Sequence, residues 1–167
     1  LPKAVSISHA CLAQAVFCMI LTVAQATSPW YKQPQHSLNS DLWKAGVIGL
    51  SALYLQLIWG ALVRHTGQAV WLHAAWAVVA SVCALIPALR SLKAFPGESA
   101  LAKPALLVAM LVPAQLLLGG LAYAIRFIPD FPLGFAPGAA LTTAHLGLGA
   151  FLLGTTLTWT LRAYKLR

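Results

Sequence analysis

Five apolar runs, each close to the ~20 residues that carry a helix across hydrocarbon, divide this chain from one end to the other. They cover about Ala4 to Ala26, Ala45 to Val63, Ala69 to Leu89, Pro104 to Ile125 and Ala139 to Leu161. Runs this continuous select helices over barrel strands, whose side chains would alternate with a period of two. Charge points the same way: 8% of the 167 residues are charged, against about a quarter in an ordinary soluble domain. The expectation is an all-α integral membrane protein with five transmembrane helices. The first run carries a histidine and continues to full span length, so it reads as a span and not as a cleavable signal peptide. Pro113 is expected to bend the fourth span.

A formal charge of +8 would suggest nucleic acid in a soluble protein. Here the basic residues sit in short loops, where they set topology, so the lipid bilayer is the expected partner and nucleic acid is not. Lys3, Arg64 and Arg126 fall on one side of the membrane. Lys32, Lys44, Arg90, Lys93, Lys103, Arg162, Lys165 and Arg167 fall on the other, which places the N-terminus outside and the C-terminus in the cytoplasm. Trp30, Tyr31, Trp43, Trp71, Trp159 and Tyr164 lie near span ends, as an aromatic belt requires. Cys11, Cys18 and Cys83 all lie within spans and read as small apolar fillers.

The chain also repeats itself. Gln56-Leu57-Ile58-Trp59-Gly60-Ala61-Leu62 matches Gln115-Leu116-Leu117-Leu118-Gly119-Gly120-Leu121, 59 positions later. Each copy ends a span and is followed by a loop and a histidine-bearing helix. Residues 45–167 therefore read as a four-helix bundle of two repeated hairpins, with a pseudo-twofold axis along the membrane normal. Residues 31–44 form a cytoplasmic loop, and residues 1–30 a lone helix like the last one of a further copy. His9, His73 and His145 each lie about 6–10 Å below the outer end of a helix running in the same direction.

An ionisable residue inside a span marks a candidate functional site, because hydrocarbon solvates it poorly. The twofold places His73 and His145 opposite each other, and two neutral imidazoles across a bundle core can ligate a haem iron axially. The competing reading is a histidine hydrogen-bonded to its neighbouring helix; proton relay is disfavoured because the spans hold no Asp or Glu. Arg64 and Arg126 end helices where haem propionates would emerge, and guanidinium pairs well with carboxylate. Interfacial snorkelling is the plain alternative for both. His36 and His65 fall in loops. Gln56 and Gln115 read as interhelical hydrogen-bonding groups with no chemistry.

The run Gln56-Leu57-Ile58-Trp59-Gly60-Ala61-Leu62-Val63-Arg64-His65-Thr66-Gly67 resembles the Q-L-x-x-G-A-x-x-R-H-T-G signature of the haem A synthase family. Ile128-Pro129-Asp130-Phe131-Pro132-Leu133-Gly134-Phe135 resembles that family's outer-loop P-D-F/W-P motif. His9-Ala10-Cys11-Leu12-Ala13-Gln14 and Thr142-Thr143-Ala144-His145 are similar to its fourth and eighth helices. The family has eight helices in two four-helix halves, each with a histidine pair on its even-numbered helices. The resemblance implies that this chain corresponds to helices four to eight, in a bacterial cytoplasmic membrane. His73 and His145 then match the pair that holds haem b. His9 matches one of the pair at which a methyl of haem O is oxidised to the formyl of haem A, for cytochrome oxidase assembly. The first three helices, the partner of His9 and the family's catalytic acid have no counterpart here, so no catalytic residue is assigned.

Two functions follow as expectations. One is the haem b half of a haem A synthase, whose remaining helices lie in another segment or chain. The other is a non-enzymatic haem- or pigment-binding accessory subunit of a larger respiratory or photosynthetic membrane complex, where His9 meets a second haem or a chlorophyll. A cofactor-free structural bundle ranks behind both.

Overall fold

A computed structural model describes residues 2–132 and 135–167, apart from the side chains of residues 135 and 136. Among the described residues the only regular elements are helices: α1 (Lys3–Thr27), α2 (Pro29–Lys32), α3 (Leu42–Thr66), α4 (Val70–Ala94), α5 (Ser99–Phe127) and α6 (Phe135–Lys165). All but the short α2 are long and apolar enough to cross a membrane. The end of the Ile128-to-Phe135 motif lies outside the described residues.

The helices outrun the apolar runs at nearly every end, because a helix satisfies its own backbone and continues into polar sequence. The clearest case is α5, expected from Pro104 but starting at Ser99, where the Glu98 side chain accepts from the Ala100 N–H at 3.3 Å. Pro104 is then inside the helix and cannot donate to the Ala100 carbonyl one turn back. The Arg162 guanidinium of α6 donates to that carbonyl instead, at 3.2 Å. Arg162 also donates to Gln25 Oε1 at 3.3 Å and lies over the Trp30 ring. One cation thus joins α1, α5 and α6.

α3 packs on α4 and α6, and α5 packs on the same two, so α3 faces α5 across one diagonal and α4 faces α6 across the other. α1 lies outside, against α3 and α6, with no buried residue. It runs parallel to α6: Phe17 and Leu21 meet Gly154, and Gln25 meets Arg162. The bundle therefore has one end bearing His9, His73 and His145, and a basic end bearing Arg90, Lys93, Lys103, Arg162, Lys165 and Arg167. Loop residues strap the basic end, with Leu38 N–H donating to Leu166 O at 2.8 Å and His36 meeting Glu98 at 3.2 Å.

Packing is uneven along the bundle. The hydrophobic core (Ala84, Ala88, Leu101, Ala105, Val108, Leu111, Val112, Leu152, Trp159, Ala163 and Leu166) belongs to the basic half. Trp159 is 2% exposed and its indole N–H donates to the fully buried Ser91 Oγ at 3.1 Å. It is a core residue and not part of an aromatic belt, because Ser91 gives its polar edge an internal partner. Beyond Ala52, Ala80, Val112 and Leu152, towards the histidine end, the described buried residues are Ala61 and Gly138 alone.

Pro87 shapes the α3–α4 crossing. Lacking an N–H, it frees the Cys83 carbonyl, and Gly49 brings α3 up against it. A Cβ on Gly49 would stand 2.8 Å from Cys83 O and 3.3 Å from Ala84 Cα. The geometry suits a weak Cα–H···O contact between helices. Gly49→Ala is expected to destabilise the protein by about 1–3 kcal/mol, read by thermal unfolding in detergent. Gly97→Ala, where a Cβ meets nothing within 4 Å, serves as the neutral control.

Candidate functional site: a twofold histidine–glutamine quartet

The two copies of Gln-x-x-x-Gly form the same structure in both hairpins. Gly60 of α3 receives the His73 ring of α4, and a Cβ there would be 3.1 Å from His73 Cε1, 3.6 Å from Nδ1 and 3.8 Å from Nε2. Gly119 of α5 receives the His145 ring of α6, with the corresponding distances 3.0, 3.6 and 3.8 Å. The match is within 0.1 Å on each atom. Each imidazole enters a notch that only a residue without a side chain leaves open. The turn before α4 is equally dependent on its sequence: Gly67 caps α3 at φ 73°, a left-handed conformation that glycine adopts freely.

The glutamines lie one turn below those notches. Gln56 Nε2 donates to the His73 backbone carbonyl at 3.0 Å and lies 3.5 Å from His73 Nε2. Gln115 packs against α6 at Gly149, one turn past His145, where a Cβ would be 2.9 Å from its Nε2. Trp76, one turn below His73, donates its indole N–H to Ala52 O at 2.9 Å and ties α4 to α3 under the site.

Enclosed polar atoms in a native fold ordinarily have a hydrogen-bond partner, and each exception calls for an explanation such as an ion or a bound group. Among the described residues six side-chain nitrogens or oxygens are enclosed without one: Gln14 Oε1, Gln56 Oε1, Trp59 Nε1, His73 Nδ1, Gln115 Oε1 and His145 Nδ1. Four of these six belong to the quartet, one pair in each hairpin. Both histidines are half-buried. They sit on the diagonal pair α4 and α6, in the half of the bundle that has almost no buried side chains.

Arg64 and Arg126 meet at the rim above. The Arg126 guanidinium donates to the Arg64 backbone carbonyl at 3.3 Å, across the α3–α5 diagonal. Both side chains are exposed and neither has an acidic partner among the described residues. The structure therefore brings His73, His145, Arg64 and Arg126 to one end of the bundle. His9 lies at the same end but outside the bundle, exposed on α1 and apart from these four residues. Gln56 makes the interhelical hydrogen bond expected of it, to the His73 carbonyl. Sequence reasoning missed that Gln56 and Gln115 flank the histidines, and it missed Gly60 and Gly119, for which the repeat that carries them was the available signal.

No family model matches the chain, and no curated protein or solved structure matches it.

The notches make a direct prediction. Gly60→Leu and Gly119→Leu each put a branched side chain where a ring lies, and each is expected to cost about 1–3 kcal/mol of stability. The two losses should be similar, since the notches are alike. Gly147→Leu, where a Cβ meets nothing within 4 Å, should leave the thermal unfolding curve in place.

Proposed function

We propose that this chain is a haem b-binding membrane protein of the haem A synthase type, with His73 and His145 as the residues that would hold its iron. The observation that carries the reading is the quartet: two imidazoles on facing helices, each with a ring nitrogen lacking a protein partner, in notches of matched geometry. Neutral histidine is a common haem ligand, and a bundle core between facing helices is a common place for such a site. Among the described residues, the histidine half buries only Ala61 and Gly138 beyond the middle of the bundle. Bound haem would supply a one-electron redox centre there.

The protein's own residues have distinct parts in this reading. His73 and His145 would hold the iron. Gln56 fixes the α4 backbone at His73, and Gln115 is placed to do the same for the α6 turn after His145. Orienting groups of this kind commonly change metal-site affinity about 10–100-fold. Arg64 and Arg126 would pair with the propionates at the rim. The methyl oxidation of the family needs helices that this chain does not supply, so the reading assigns haem b binding here and no catalytic residue. The distribution of basic residues supports an orientation with the histidine end outside a bacterial cytoplasmic membrane and the C-terminus in the cytoplasm.

One feature favours a second reading, an accessory subunit that carries haem or another pigment within a larger respiratory or photosynthetic membrane complex. α1 buries nothing, and His9 is exposed on it with Leu12, Val16, Met19, Ile20 and Val23. In that reading His9 meets a second haem, or the chlorophyll of a neighbouring chain.

A reduced-minus-oxidised absorbance spectrum of the purified protein tests the main proposal. A low-spin b-type spectrum is expected, lost in His73→Ala and in His145→Ala. Gln56→Leu should retain the spectrum but weaken haem retention about tenfold. Unchanged haem content in either alanine variant removes that histidine from the proposal. Conversion of haem O to haem A by the chain alone would rule out the accessory-subunit reading.

A further inference from the structure

The basic end of the bundle holds a recess of about 560 Å³ lined by Ser40, Leu42, Arg90, Lys93, Ala94 and Phe95. Three features of its lining favour an anion. Arg90 and Lys93 are one turn apart on α4, so they share a face, and both are exposed. Among the described residues the ion pairs are His36–Glu98 and Lys44–Asp41, so neither cation has an acidic partner. The acids nearest the lining residues along the chain are already engaged, Asp41 by Lys44 at 2.8 Å and Glu98 by His36 at 3.2 Å.

Ser40 adds a directional donor. Its Oγ accepts from the Leu42 N–H at 3.3 Å, which leaves the hydroxyl hydrogen free to donate outward. Leu42 is the first residue of the 25-residue α3, so the positive end of that helix dipole lies at the recess. Leu42, Ala94 and Phe95 form the apolar remainder. An anion with an attached hydrocarbon portion would satisfy both parts of this lining. The recess also lies at the start of α3 and the end of α4, two helices long and apolar enough to cross a membrane.

We propose that this recess binds the phosphodiester headgroup of an anionic membrane lipid. Arg90 and Lys93 take the phosphate charge, the Ser40 hydroxyl donates to a phosphate oxygen, and Leu42 and Phe95 meet the glycerol and upper acyl segment. Basic pockets between transmembrane helices are suited to such headgroups. The site stands apart from the histidine end and does not depend on haem.

Native mass spectrometry of the detergent-purified protein, titrated with phosphatidylglycerol and with phosphatidylcholine, tests it. Wild type should retain phosphatidylglycerol in preference. Arg90→Gln and Lys93→Gln should each lower that retention about fivefold, whereas Lys3→Gln at the opposite end should leave it unchanged. Ser40→Ala changes no charge and should also lower retention. Equal retention of the two lipids by wild type overturns the proposal, as does undiminished phosphatidylglycerol retention in Arg90→Gln and Ser40→Ala. Competition with inorganic phosphate separates the sources of the anion: displacement means that the recess reads phosphate alone. Persistence of the lipid means that the apolar lining contributes to binding.

Discussion

Hydrocarbon offers a polar atom nothing to bond with, and this constraint explains more of the structure than any single contact. The helices of the bundle close most of their own backbone, and at two of the prolines that break that closure, Pro104 and Pro87, another helix meets the freed carbonyl. Arg162 donates to the carbonyl that Pro104 leaves free, and Gly49 brings α3 against the carbonyl that Pro87 leaves free. Ser91 and Trp159 pair with each other in the core. Against this background of satisfied groups, the unpaired nitrogens and oxygens of His73, His145, Gln56 and Gln115 are conspicuous. They occur twice, at twofold-related positions, which is not the pattern of scattered packing faults.

The two halves of the bundle divide the work of holding the fold and of keeping a site. The basic half is packed with Leu, Val, Ala and Trp, is strapped by the loop through Leu38 and His36, and is cross-tied by Arg162. The histidine half has small residues, notches and little that is buried. A well-packed half of this kind can hold the helix ends at a fixed separation where few of the described side chains are buried. Polar groups at a site are best positioned by rigid elements, and here the rigidity comes from the opposite end of the same helices.

Much of this was legible in the sequence. The apolar runs gave the number and order of the long helices, and the repeat around Gln56 and Gln115 gave the pairing into hairpins. The exact helix ends were not legible, because apolarity stops at the edge of hydrocarbon while backbone hydrogen bonding continues past it. Pro104 looked like a helix start and lies within α5, since the donor that replaces its N–H comes from a residue 58 positions away in the chain, Arg162. Trp159 looked interfacial because only its position along the helix was visible, and not the Ser91 facing it. The notches at Gly60 and Gly119 escaped for a related reason: periodicity shows that a glycine recurs, and only the packed helices show which ring fills the gap.

The tie between Arg162 and the Ala100 carbonyl also bears on how such a chain enters a membrane. During synthesis α5 emerges before α6, with one carbonyl of its first turns lacking a donor and no arginine yet available. That turn lies at the basic end, where water and headgroups can bond with the carbonyl temporarily. The α5 N-terminal turn is therefore finished only when the last turn of α6 arrives, so the second hairpin reaches its final form as a unit and in that order.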